Sequence, residues 1–161
     1  PNLAHKYFAK LESKGKKVTI VTQNIDGLHQ MAGSSNVFEL HGSVRRNYCT
    51  SCGEFYNLDY ILNNDLPKCK KCGAIVKPDV VLYEESLDAE TINKSINAIC
   101  ECDMMIVVGT SLTVYPAASF VNYFTGDCLA LINKDETNID TKADIVINDD
   151  IIKVIKILSK N

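Results

Sequence analysis

The sequence predicts an α/β protein: a Rossmann-like parallel sheet with helices on both faces and a small zinc-ribbon module inserted into it. Three observations predict this. Short strand-like runs, apolar on both faces, alternate with helical periods, as in a parallel sheet covered on both sides. Residues 44–78 break that alternation with a polar stretch lacking any continuous core-forming run. Inside it stand two Cys-x-x-Cys units, Cys49-Thr-Ser-Cys52 and Cys69-Lys-Lys-Cys72, with 16 residues between them. The expected division is therefore 1–43 with 79–161 as one domain and 44–78 as a zinc-binding module.

The elements follow in order. Leu3, Tyr7 and Leu11 recur every four residues beside Ala4 and Phe8, an amphipathic helix over 2–14 with Asn2 as cap and Gly15 as stop. Val18-Thr-Ile-Val-Thr22 is a β-branched run and reads as a buried strand. A brief strand over 37–40 precedes His41-Gly42, and after the cysteine segment Val80-Val-Leu-Tyr83 resumes the strand pattern. Ile92, Ile96 and Ile99 share one face of a helix over 88–101. Met104-Met-Ile-Val-Val108 is the next buried strand, ending at Gly109-Thr-Ser111. A helix over 116–124 has Pro near its first turn. Strands over 128–132 and 143–147 and an apolar helix over 151–158 complete the chain.

Composition narrows the function. In 161 residues, 17 basic and 20 acidic side chains leave a formal charge of −3, so bulk charge supports neither a nucleic-acid nor an anionic-membrane partner. No apolar run approaches the roughly 20 residues of a membrane-spanning helix, and no secretory signal opens the chain. A cytoplasmic protein is expected. The chain begins at Pro1, which suggests processing or a longer polypeptide. Arg45 and Arg46 are its only arginines beside abundant Lys, Ile and Asn, a bias that an AT-rich bacterial genome produces.

Seven cysteines, an odd number, do not suit a secreted disulfide framework. The paired units match four thiolates around one tetrahedral zinc, each two-residue spacing forming a knuckle and Gly53 and Gly73 supplying the permissive backbone after it. With four protein ligands such a site is closed and structural. Redox dithiols or buried free thiols are the competing readings.

In open α/β sheets, ligands bind outside the carboxyl ends of strands. Those ends read Thr22-Gln-Asn-Ile-Asp26, His41-Gly42, Gly109-Thr-Ser111 and Asn133-Lys-Asp135. Hydroxyl, amide and carboxylate groups of this kind suit sugar hydroxyls and an amide-bearing ring. Gly109 permits close backbone approach, Thr110 and Ser111 can donate to phosphate or ribose, and Asp26 and Asn133 can accept from ribose hydroxyls or an amide. Polar residues also end strands and cap helices, and that competing role is open for each cluster. Of three histidines, His5 lies off the apolar stripe of its helix and His29 in a polar turn. His41, between a strand and Gly42, is the candidate general base.

Thr22-Gln-Asn-Ile-Asp-Gly-Leu-His29, Ala32-Gly33 and Glu39-Leu-His-Gly42 resemble the core signature of sirtuins, NAD-dependent protein lysine deacylases. The resemblance, to the bacterial type, continues through the CxxC pairs, Gly73-Ala-Ile-Val-Lys-Pro-Asp-Val-Val81, Gly109-Thr-Ser-Leu112 with Pro116-Ala-Ala118, and Leu131-Ile-Asn133. It implies a NAD-binding domain over 1–43 and 79–161, structural zinc, and an acylated-lysine protein or peptide as substrate. Nicotinamide leaves the ribose, the acyl oxygen attacks the vacated carbon, and the products are deacylated lysine, nicotinamide and an acylated ADP-ribose. The resemblance makes His41 the base that activates a ribose hydroxyl. It gives Gln23 and Asn24 to the nicotinamide-side ribose and Ile25 and Asp26 to the nicotinamide amide. Thr110 and Ser111 fall to phosphate and ribose, Asn133 to the adenosine ribose, and Asp150 and Ile151 lie near the adenine. Val81, Leu82, Tyr83 and Glu84 would form the edge where the peptide adds as a strand. An ADP-ribosyltransferase, or an inactive zinc-ribbon interaction module, are the alternative functions.

Two departures stand out. Many relatives read Phe-Gly-Glu where this chain has Tyr83-Glu84-Glu85, and an acidic Glu84 favours basic residues flanking the substrate lysine. The family's first strand and its Gly-rich pyrophosphate loop have no counterpart, since none of the eight glycines forms Gly-x-Gly. The chain is thus expected to be the C-terminal majority of a longer enzyme, with a gap in its sheet, and to bind NAD poorly and lack activity alone.

Overall fold

The computed structural model describes residues 1–160. Its first helix, α1 (Leu3–Ser13), starts where the sequence predicts, because the Asn2 Oδ1 accepts from the Ala4 and His5 amides at 2.9 and 3.1 Å. It lies against α2 (Leu28–Ala32) and the C-terminal helix α5 (Ile151–Leu158). Between α1 and α2, β1 (Ile20–Thr22) pairs in parallel with β2 (Val37–Glu39), Thr22 opposite Glu39.

An antiparallel sheet follows. It holds β3 (Gly42–Cys49) between β4 (Phe55–Asn57) and β5 (Val76–Val80), with the short helix α3 (Leu58–Leu62) after β4. Its small core consists of Cys49, Tyr56, Cys69 and Val76.

The second parallel ladder contains β6 (Met104–Val108), β7 (Cys128–Ile132) and β8 (Ile145–Ile147), with β7 in the centre. Leu129 to Ile132 are all buried, which is why this run is continuously apolar. Val107, Leu129 and Leu131 pack with Ala118, Val121 and Leu112, joining the ladder to a 3₁₀ helix over Ala117–Tyr123. Helix α4 (Ala89–Glu101), capped by the Asp88 carboxylate on the Thr91 amide at 2.7 Å, buries Ile99 against Leu40 and Phe120.

The α/β class and inserted module agree with the sequence. Three details differ. The single parallel sheet is in two ladders, and among the described residues β1 bonds only to β2 and β6 only to β7. The 116–124 helix is a 3₁₀ helix. The strand expected over 80–83 instead lies over Val76–Val80, and residues 82–85 turn back on themselves, with the Glu85 amide donating to the Leu82 carbonyl at 3.1 Å. No helix among the described residues is long and apolar enough to cross a membrane.

Candidate active site and metal centre

His41 follows β2 directly, and the backbone around it is pinned on two sides. The Leu40 amide donates to the Thr22 carbonyl at 2.9 Å, and the His41 carbonyl accepts from the Val81 amide at 3.0 Å. Gly42 then turns the chain at φ 74°, and a Cβ there would overlap the Asp79 carbonyl oxygen. The imidazole Nδ1 lies 3.0 Å from the Gln23 carbonyl oxygen. A carbonyl can only accept, so Nδ1 carries the hydrogen and Nε2 keeps a free lone pair. The ring is thereby held in the tautomer a base requires.

Residues 24–26 continue from that carbonyl. The Asn24 amide donates to Thr22 Oγ1 at 3.1 Å, and the Ile25 carbonyl accepts from the Val44 amide at 3.0 Å. Asp26 has a structural duty as well: its Oδ1 accepts the Leu28 amide at 3.0 Å and holds the Asx-type turn that leads into α2. Arg45 Nε donates to the Asp26 carbonyl at 3.0 Å, passing so close to Gly27 (φ 69°) that a Cβ there would displace the arginine side chain.

A second group lies at the carboxyl ends of β6 and β7 and the start of α5. Gly109, Thr110, Ser111, Asn133, Asp150 and Ile151 all line one cleft of about 540 Å³. Gly109 (φ 58°) has open space where a Cβ would point. Local bonds occupy part of this set. Thr110 Oγ1 accepts the Leu112 amide at 3.1 Å, and the Ser111 and Thr113 hydroxyls pair at 2.7 Å. Asn133 Nδ2 donates to the Asp135 carbonyl at 2.9 Å. Asp150 caps α5 on the Ile152 amide at 2.8 Å and pairs with Lys134 at 3.1 Å, and both bonds hold its carboxyl below the usual range.

Asp135, Glu136 and Asp149 also line the cleft, so carboxylates outnumber its one lysine. Such a wall repels a pyrophosphate and suits neutral groups rich in hydroxyls and N–H donors, as an adenosine is. His41 and residues 23–26 are not among the lining residues. They adjoin through shared apolar packing, in which Leu40 and Val21 meet Ala117, Phe120 and Met105.

The segment expected to receive a peptide is open. Leu82 and Tyr83 are exposed, and Val81 spends its amide on His41. The Leu82 amide donates to Glu85 Oε2 at 2.9 Å, which draws the Glu85 carboxyl downward. Glu84 sits at φ 70°, the left-handed region that a glycine occupies without the Cβ penalty. Glu84→Gly is expected to raise stability by roughly 0.5–1 kcal/mol, strain relief partly offset by unfolded-chain entropy. A thermal midpoint that stays level or falls would remove the strain argument.

The four paired cysteines converge. Their sulfurs lie within 4.8 Å of one another, with Cys49–Cys72 at 3.4 Å and Cys52–Cys69 at 3.5 Å. Four thiolates at about 2.3 Å from a zinc stand about 3.8 Å apart, so the set fits one tetrahedral ion. Each knuckle closes through a glycine amide, Gly53 to the Cys49 carbonyl at 3.0 Å and Gly73 to the Cys69 carbonyl at 2.9 Å. The Ser51 and Lys71 amides donate to the Cys49 and Cys69 sulfurs, both at 3.4 Å. The Tyr56 hydroxyl donates to the Cys69 sulfur at 3.3 Å and draws that thiol down to about 6, favouring the thiolate.

The sequence missed two partners. Tyr56 as a donor to a ligand sulfur has no local signature. Arg46, whose guanidinium meets Glu39 at 2.6 Å and Asp79 at 2.9 Å, stands out in the sequence only as one of two arginines.

Known proteins resemble this geometry throughout. The model of the Sir2 family matches residues 1–116. An NAD-dependent protein deacetylase of Clostridium acetobutylicum is 58% identical over 158 residues, covering 97% of this chain and 64% of the relative. One of Clostridium perfringens is 62% identical over 157 residues, covering 96% and 64%. The chain thus spans just under two thirds of the length of these curated relatives. A solved structure described as Sir2 with p53 peptide and NAD+ superposes with a TM-score of 0.90 at 37% identity, covering 99% of this chain and 69% of that one. Another, Sir2 bound to acetylated peptide, has a TM-score of 0.90 at 36% identity, covering 99% and 70%.

Proposed function

The chain belongs to the Sir2 family, and from that premise we propose that the protein it forms is an NAD-dependent protein lysine deacylase. The observation that carries this reading is the His41 ring, with Nδ1 bound to the Gln23 carbonyl and Nε2 left free. NAD supplies the activated ribose carbon that accepts the acyl oxygen. His41 Nε2 takes the proton of a ribose hydroxyl, and the Gln23 carbonyl steadies the imidazolium that results.

Gln23, Asn24, Ile25 and Asp26 border the nicotinamide end, close to that base. Thr110, Ser111, Asn133, Asp150 and Ile151 take the adenosine end, in a cleft whose acidic wall favours ribose and adenine. The acylated peptide lies along Val81, Leu82, Tyr83 and Glu84. Cys49, Cys52, Cys69 and Cys72 hold a structural zinc, and a reducing compartment such as the cytoplasm keeps them available. Fractionation of the source cells tests that location.

The intact protein, given NAD and an acetyl-lysine peptide, is expected to release nicotinamide and deacetylated peptide in equal amounts. Mass spectrometry of both separates the readings. An ADP-ribosylated protein product favours the transferase alternative, and no turnover with full zinc content favours an interaction module.

A further inference from the structure

One guanidinium ties together the two segments that this reading brings to the reaction. Arg46 on β3 donates from Nη1 to Glu39 Oε2 at 2.6 Å and from Nε to Asp79 Oδ2 at 2.9 Å. Glu39 ends β2 two residues before His41, and Asp79 lies on β5 two residues before Val81. His41 and Val81 are themselves joined by a backbone bond at 3.0 Å. The contact therefore encloses the base and the start of the peptide edge in one small loop of bonds. Glu39 is the buried member, with a side chain 5% exposed against 40% for Arg46 and 44% for Asp79. A buried carboxylate needs its partner, so this is a fixed contact and not a surface pair of slight value. Two edges of one planar fork are used, which a lysine ammonium cannot reproduce.

We propose that Arg46 is a positioning residue that sets the catalytic base at a fixed distance from the bound peptide. It touches neither substrate and acts through Glu39 and Asp79. The inference rests on the deacylase reading, because it assigns the 81–84 edge to the peptide. With Arg46 in place, β2 and β5 cannot slide past one another beside Gly42, and the acylated lysine meets the ribose at one depth. Without it, the edge relaxes relative to His41, and peptide binding and turnover suffer while NAD contacts at the far cleft do not.

The test is steady-state kinetics on the intact protein, with peptide and NAD varied separately, for the parent, Arg46→Gln, Arg46→Lys and the double variant Glu39→Gln with Arg46→Gln. Both single variants are expected to lose about tenfold in kcat/KM for peptide, mainly through KM, with KM for NAD little changed. The double variant leaves no buried carboxylate unpaired, so it should regain the thermal midpoint lost by Arg46→Gln without regaining peptide KM. Recovery of peptide KM along with the midpoint, or an Arg46→Lys protein equal to the parent, overturns the proposal and leaves Arg46 a stabilising residue only. A parent that releases no nicotinamide overturns the deacylase reading and this inference with it. A parent that turns over while all variants keep its peptide KM overturns the inference alone.

Discussion

In the intact protein, His41→Ala is expected to lower peptide deacylation by about 10²–10⁴-fold, the usual worth of a positioned general base. Zinc content and thermal midpoint should stay close to the parent's. The substitution removes one hydrogen bond, from Nδ1 to the Gln23 carbonyl, and leaves the backbone bond between Val81 and the His41 carbonyl in place. The Asp26 carboxylate accepts the Leu28 amide and Glu39 is bound to Arg46, so neither stands free to take over as base. Mass-spectrometric counting of deacylated peptide, alongside metal analysis, checks the prediction. Activity within tenfold of the parent would take the base role away from His41.

Metal removal should have the larger structural effect. One zinc per chain is expected, and stripping it, or Cys69→Ser, should unfold the β4-β3-β5 sheet. Two of the four residues in that module's hydrophobic core, Cys49 and Cys69, are themselves the expected ligands, so without an ion little core is left. In small zinc modules the metal contributes on the order of 10 kcal/mol to folding. Deacylation should fall too, although no ligand touches the chemistry, because β5 runs from the module straight to Val81 and the His41 carbonyl. Far-UV and near-UV circular dichroism with zinc titration reads both losses. A stripped protein that keeps its midpoint and spectrum would show that the thiols need no ion to hold this shape.

Much of this was legible in the chain, for local reasons. The cap at Asn2, the continuous run of β7 and the four-cysteine cluster each depend on residues a few positions apart or on ligand chemistry alone. The gathering of Gly109 to Ser111 and Asn133 follows from the rule that strand ends face ligands, while Asp150 is expected there only from the family resemblance. What was not legible depends on partners far away in sequence. The split of the parallel sheet is set by which strand stands beside β1 and β6. The position of β5 was hidden by Pro78, which lacks an amide. It is tolerated there because it pairs with Asn47 beside a register shift, where the ladder is already broken. The Val80-Val-Leu-Tyr83 run looked like a strand. His41 claims the Val81 amide and Glu85 that of Leu82, so the ladder stops.

The close approach of Gly42 to the Asp79 carbonyl bears on how variant libraries of this protein should be interpreted. Saturation of the codon after His41 is expected to leave almost no survivors, giving a dead column beside the proposed base. That column reflects steric exclusion by main chain. Counting it as evidence for a second chemical participant would assign a reaction role to an atom that is not there.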